Sequence, residues 1–205
     1  TTFAYGHFNA FPLVWDAAKP NRGAVFPYDK DPHELFQAIR DQHAGDEIIQ
    51  VNHPRGVGPG SYFTYVGLHA AEDTQDDPEA WSTNWDAIEV FNGGCGRGEP
   101  LDDWIGMTNN GHRKVLASGS DSHSESGLIG TPRNWIRIEP DEVRADSQNL
   151  VPVVRDRNLF VSCGPFVRFA ATGTDGATSG LGSLVAGDGG DVTLSVSVEA
   201  PTWML

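Results

Sequence analysis

Three short apolar segments of the sequence end in a histidine or in an aspartate–histidine pair. His7 closes the first of them, His53 follows the second, and Asp121 and His123 follow the third. Residues two apart on an extended chain point the same way, so Asp121 and His123 should project from the same side. Carboxylate oxygens and imidazole nitrogens are ligands of zinc and other divalent transition metals. The four residues therefore predict a metal site, with Asp121 and His123 as candidate catalytic residues.

Each of these residues also has a simpler interpretation. Asp121 can cap the turn that follows its strand, and His123 can be an ordinary surface histidine. The other histidines lie in a polar helix or in loops, where a solvated or structural role is expected: His33, His43, His69 and His112. The repetition of the pattern at three strand ends nevertheless favours a metal site over coincidence.

Three further residues near the strand ends are candidates for substrate binding. Arg55 is close to His53, and its guanidinium fork suits a phosphate or carboxylate, although a structural ion pair is an equal alternative. Asn9 and Asn92 follow candidate strand ends. They can hydrogen-bond a substrate or satisfy loop backbone groups.

The elements that must position these residues alternate between strands and helices. Asp31 and Pro32 form a helix start, followed by an apolar stripe, and Gly45 ends that helix. Apolar runs before His53, around Glu89 and before Asp121 are typical of strands. This alternation predicts an α/β fold with a parallel sheet, in which functional residues collect at the carboxyl ends of the strands.

Other catalytic and binding motifs are absent from the sequence. Ser118-Gly119-Ser120 lacks the spacing of a nucleophile elbow, and the glycine-rich segment 56–60 lacks the lysine and helix of a phosphate loop. The two cysteines, Cys95 and Cys163, are too few for a disulfide framework. They leave open one disulfide bond or two free thiols.

The charge of the chain restricts its partners. The 205 residues include 14 basic and 28 acidic side chains, a net charge of −14. An acidic surface repels nucleic acid and anionic lipid, and no apolar run approaches the roughly 20 residues of a membrane span. A small-molecule substrate is the expected partner. The acidic tail, rich in glycine, serine and threonine, is weakly indicative of an exported protein.

The ordered set YGHFNAF, NHPR, AIEVFNG, SGSDSH and G-x-P-R-x-W resembles the polymerase and histidinol phosphatase (PHP) superfamily. The resemblance covers about residues 1–164 and is strongest to the CehA/McbA-like metallohydrolase branch. It implies a distorted (β/α)7 barrel that holds up to three zinc, manganese or iron ions. His7 and His53 then match the ligands of one metal, Asp121 matches a ligand of a second, and His123 matches a ligand of the third.

The family pattern also begins with an H-x-H strand and a bridging glutamate, which this sequence lacks ahead of His7. We therefore expect an incomplete barrel without its first strand or strands, over residues 1–164, and a site with at most one partly hydrated ion. Residues 165–205 are expected to start an incomplete β-sandwich module or to pack as strands on the first domain, and the alternating segment DVTLSVSVE predicts a half-buried strand.

The resemblance implies a hydrolase that cleaves a phosphoester or a carboxylic or carbamate ester with metal-activated water. The alternative is a non-catalytic scaffold or ligand-binding module with a degenerate metal site.

Overall fold

The computed structural model describes residues 4–56, 60–127, 129–138, 141 and 146–202. Its α-helices are α1 (Pro32–His43), α2 (Tyr62–Tyr65), α3 (Glu99–Asn109) and α4 (Leu150–Arg155). Its strands are β1 (His7–Phe11), β2 (Ile48–Asn52), β3 (Leu68–His69), β4 (Thr74–Gln75), β5 (Ala87–Asn92), β6 (Val115–Gly119), β7 (Arg133–Ile136), β8 (Leu159–Ser162), β9 (Phe166–Thr172), β10 (Thr178–Ser179) and β11 (Thr193–Glu199).

The main sheet has the strand order β1-β2-β5-β6. Strands β2, β5 and β6 are parallel, as the sequence predicted, and β1 pairs antiparallel with β2 so that His7 lies opposite Asn52. The amino end of β1 therefore lies at the same sheet edge as the carboxyl ends of the other three strands.

Helix α1 confirms the start and stop signals read from the sequence. The Asp31 side chain accepts a hydrogen bond from the backbone N–H of Glu34, and the Glu34 side chain accepts one from the backbone N–H of Asp31, which is a capping box. The apolar stripe of the helix packs into the main core beside β2. Its left-handed terminal residue is Ala44, one position before the predicted Gly45.

The remaining strands form separate small sheets. The pair β3–β4 and the pair β7–β8 are two-stranded and antiparallel, and β10, β9 and β11 form a three-stranded antiparallel sheet. The predicted boundary at residues 164/165 falls between β8 and β9. Every residue of β11 is exposed, although an alternating half-buried strand was expected there.

The predicted fold class, an incomplete distorted (β/α)7 barrel, is wrong. A barrel of this kind adds one parallel strand after another, whereas the described residues form four helices and several small sheets. The segment after β2 forms α2 and the β3–β4 pair, and β7 and β8 pair with each other instead of extending the parallel sheet. The TIM-like architecture expected from the resemblance is therefore corrected as well.

One disulfide bond links the loop after β5 to the segment after β8. It joins Cys95 and Cys163, whose Cα atoms are 5.9 Å apart, and it decides between the two states that the sequence left open.

Two sequence predictions concern membrane-spanning helices and the glycine-rich segment 56–60. In the part of the chain that the structure describes, every helix is too short or too polar to cross a bilayer. Residues 57–59 of the glycine-rich segment lie outside the described residues.

Candidate functional site

The candidate site lies at the edge of the main sheet where β2, β5 and β6 end. His7 is the first residue of β1, His53 directly follows β2, Asn92 ends β5, and Asp121 lies two residues after β6. Pairing of β1 with β2 brings two residues that are 46 positions apart in the chain into contact. We call His7, His53 and Glu89 the histidine–glutamate cluster.

The two histidines of the cluster share a hydrogen bond. The Nδ1 atom of His7 is 3.0 Å from the Nε2 atom of His53, and the rings meet edge to face with centroids 4.8 Å apart. One of these nitrogens must donate and the other must accept, because two facing N–H groups would repel each other. The pair therefore holds one shared proton between the rings.

Glu89 completes the cluster from inside β5, where it is 5% exposed. Its Oε2 atom accepts a hydrogen bond from the backbone N–H of His53 at 2.6 Å and another from the Asn92 side chain at 3.2 Å. The sequence reasoning did not assign Glu89 a role. The available signal was a carboxylate between Ile88 and Val90, because a charged residue in an apolar strand needs a partner.

Burial changes the protonation of this cluster. Loss of solvation lowers the pKa of His7, the charge of His53 lowers it further, and the carboxylate of Asp121 opposes both effects. Loss of solvation raises the pKa of Glu89 above its ordinary value, and the hydrogen bonds from His53 and Asn92 oppose this. The fold thus shifts His7 toward its neutral form and Glu89 toward its protonated form.

Two site residues have backbone angles that side chains rarely adopt. The φ angle of His53 is 25° and that of Asp121 is 47°, both in the left-handed region. Such conformations cost about 1–3 kcal/mol each, and they cluster at functional sites, where the surrounding structure holds them. The hydrogen bond from the His53 backbone to Glu89 is one such restraint.

Two glycines leave room for the side chains of the cluster. A Cβ atom at Gly119 would overlap the Oε1 atom of Glu89, and one at Gly60 would lie 3.2 Å from the Nε2 atom of His7. Gly60 also has a φ angle of 105°, which favours glycine. A side chain at Gly119 would therefore displace Glu89, and one at Gly60 would crowd His7.

Asp121 and His123 lie at the solvent side of this edge. The His123 side chain is 82% exposed, and its Nδ1 atom is 2.6 Å from the backbone oxygen of Asp121. Asp121 acts on the cluster through its charge, since it raises the pKa of both His7 and Glu89. The structure thus places Asp121 close to the cluster and leaves His123 directed into solvent.

The three predicted substrate-binding residues have different surroundings. Arg55 donates from Nε and from one terminal nitrogen to the two carboxylate oxygens of Asp103, at 2.7 and 2.8 Å, so its fork is occupied by an ion pair. Asn92 donates to Glu89. Asn9 is exposed on β1, two residues from His7 and therefore on the same side of the strand.

The predicted metal-binding group is not formed by the described residues. Among them, no three His, Cys, Asp or Glu side chains come together in an arrangement that could hold an ion. The physical reason is that His7 and His53 bind each other, while Glu89 is held by backbone and amide donors. The prediction of a metal-binding group is therefore wrong for the described residues, which form the histidine–glutamate cluster instead.

Comparison of the chain with protein-family models, with curated proteins and with solved structures gave no match. The resemblance to the PHP superfamily therefore stays a prediction.

Proposed function

We propose that this chain is a hydrolase whose reaction takes place at the histidine–glutamate cluster. The observation that carries the proposal is the 3.0 Å contact between His7 and His53, next to the buried Glu89. A histidine held by a second polar group is the usual arrangement of a general base that activates water or a nucleophile. The strained backbone of His53 and the two glycines around the cluster support the same interpretation.

His53 is the residue that best fits the role of general base. A neutral His7 accepts the proton of His53 Nε2 at its own Nδ1 atom, which leaves the lone pair of His53 on Nδ1. That Nδ1 atom makes no hydrogen bond within the described part of the chain. It can take a proton from water as the water attacks the ester carbonyl carbon, and His7 stabilises the imidazolium ion that forms. The imidazolium ion then returns this proton to the leaving alkoxide as the acyl C–O bond of the tetrahedral intermediate breaks.

An uncharged carboxylic or carbamate ester is the substrate class that this site favours. A phosphoester brings negative charge to a site edged by Asp121, in a chain with a net charge of −14. The cation expected to offset that charge, Arg55, already binds Asp103. Asn9, exposed on the His7 side of β1, is the candidate donor to the carbonyl oxygen of the ester.

The test is ester hydrolysis by the purified chain and by histidine variants. We expect hydrolysis of p-nitrophenyl acetate to exceed that of p-nitrophenyl phosphate, and His53→Gln to lower kcat/KM by about 10²-fold or more. His7→Gln should also lower it, because His53 loses its partner. The matched control is His33→Gln, an exposed histidine on α1 that should leave the rate unchanged.

Two results would argue against the proposal. Equal rates for His53→Gln and His33→Gln, or no hydrolysis above the buffer rate, would favour the non-catalytic scaffold instead. Assays with a chelator and with added Zn²⁺ or Mn²⁺ test the divalent cofactor that the family resemblance implies.

A further inference from the structure

A cavity separate from the candidate site opens between the β7–β8 pair and the β9–β11 sheet. Its volume is about 930 Å³, within the usual range of small-molecule sites. Its walls come from β7, β8, β9, the turn after α4 and the segment after β10. No residue of the histidine–glutamate cluster lines it.

One wall of the cavity consists of three aromatic rings. Trp135 and Phe160 lie nearly parallel, at 11° with centroids 6.0 Å apart, and Phe166 meets both edge to face at 5.2 and 5.3 Å. The three rings come from three strands of two sheets, so the surface that they form is held by the fold. Such a wall offers faces and edges against which a planar ring can pack.

The charged lining of the cavity is mainly cationic. Arg137, Arg157 and Arg168 line it together with Asp156, and Arg168 is itself ion-paired with Glu199 on β11. The guanidinium of Arg113 donates to the backbone oxygen of Gly182, a lining residue, which places a fourth guanidinium close by. In a chain with twice as many acidic as basic residues, this local excess of arginine marks a place that attracts anions.

Two donors in the cavity wall lack partners. Trp135 Nε1 and Arg157 Nε are buried, and neither has a hydrogen-bond acceptor among the described residues. Buried donors are nearly always paired, so an unpaired one needs an explanation. Both donors belong to residues that line the cavity, where a ligand with acceptor oxygens would bind close to them.

We propose that this cavity is a binding site for a small planar anion, of which an aromatic carboxylate is the simplest kind. The ring packs on the wall formed by Trp135, Phe160 and Phe166, and the carboxylate is bound by Arg137 and Arg157. Guanidinium groups bind carboxylates through paired, charge-assisted hydrogen bonds. The site does not depend on the proposed hydrolase activity.

Titration of the whole chain with naphthoate and with its neutral counterpart, naphthalenemethanol, tests the proposal. Binding is followed by the indole N–H resonance of Trp135, which is assigned from the spectrum of Trp135→Phe. We expect naphthoate to shift this resonance and to bind at least about tenfold more tightly than naphthalenemethanol.

Substitution of an exposed arginine that has no ion-pair partner among the described residues locates the anion. Arg137→Gln should weaken naphthoate binding by about tenfold and leave naphthalenemethanol unchanged. Arg97→Gln, an exposed arginine outside the cavity, is the control and should have no effect. Equal affinity for the two probes, no shift of the Trp135 resonance, or the same loss in Arg97→Gln would overturn the proposal.

Discussion

At the scale of single residues, Glu89 makes the stability of the protein depend on pH. Burial raises its pKa above the ordinary 4.5, so the folded state holds more protons than the unfolded state between the two pKa values. The free energy of unfolding should therefore fall as the pH rises from about 4.5 toward the folded-state pKa.

The variant Glu89→Gln resembles the protonated form and should remove this fall. Urea unfolding of both proteins across that pH range measures it. Glu125→Gln, at an exposed position, is the control and should keep the wild-type pH dependence. A Glu89→Gln profile that coincides with the wild type would show that Glu89 is not the group responsible.

The sequence was sufficient to predict where three residues of the sheet edge lie, but not the ion pair of Arg55. His7, His53 and Asp121 were placed at strand ends, and the parallel strands bring those ends together. The ion pair of Arg55 was only one of two alternatives, because its partner Asp103 is 48 positions away on another element. Such a pairing depends on how α3 packs, which local patterns do not encode.

At the scale of elements, a buried ion-pair network joins α1 and α4 to the amino ends of β2 and β5. Arg40 on α1 binds Glu47 at 2.7 Å and Asp86 at 2.8 Å, and Arg155 on α4 binds Asp86 at 3.2 Å. Glu47 is fully buried, and its Oε2 atom has no hydrogen-bond partner in the described part of the chain. Arg40 is therefore the main group that compensates the buried charge of the Glu47 carboxylate.

Arg40→Ala should destabilise the protein by about 3–5 kcal/mol, because it leaves the Glu47 carboxylate buried without its cation. Arg97→Ala is the matched control, since its ion pair with Asp102 is exposed and worth about 0–1 kcal/mol. Chemical denaturation measures both changes. A loss for Arg40→Ala no larger than that for Arg97→Ala would mean that the network carries little stability.

Local signals predicted the elements better than their arrangement. Helix α1 was predicted from the cap at Asp31, and β2, β5 and β6 were predicted from apolar runs with abrupt ends. The antiparallel direction of β1 could not be predicted from local signals, because the direction of a strand is set by its distant pairing partner. The separation of β7 and β8 from the main sheet is a tertiary feature of the same kind, and it is where the barrel prediction failed.

At the scale of the whole molecule, the disulfide bond between Cys95 and Cys163 spans 68 positions of sequence. In the chain-entropy description, closing a loop of this length stabilises the folded state by about 4 kcal/mol, because it restricts the unfolded chain. The double variant Cys95→Ser and Cys163→Ser should lose about that amount in urea unfolding without reductant.

Reductant supplies the control for this prediction. It should lower the free energy of unfolding of the wild type toward that of the double serine variant and leave the variant itself unchanged. Wild-type stability that is the same with and without complete reduction would contradict the prediction.

The same disulfide also turns the middle of the chain into a covalent ring. The ring contains α3, β6, β7, α4 and β8, and therefore Asp121 of the site edge together with Trp135 and Phe160 of the aromatic wall. A single backbone cut anywhere between Cys95 and Cys163 leaves both halves tied together as one molecule. The parallel strand β6 and the cavity wall thus stay attached to β5 and β9 even when the connecting peptide is broken.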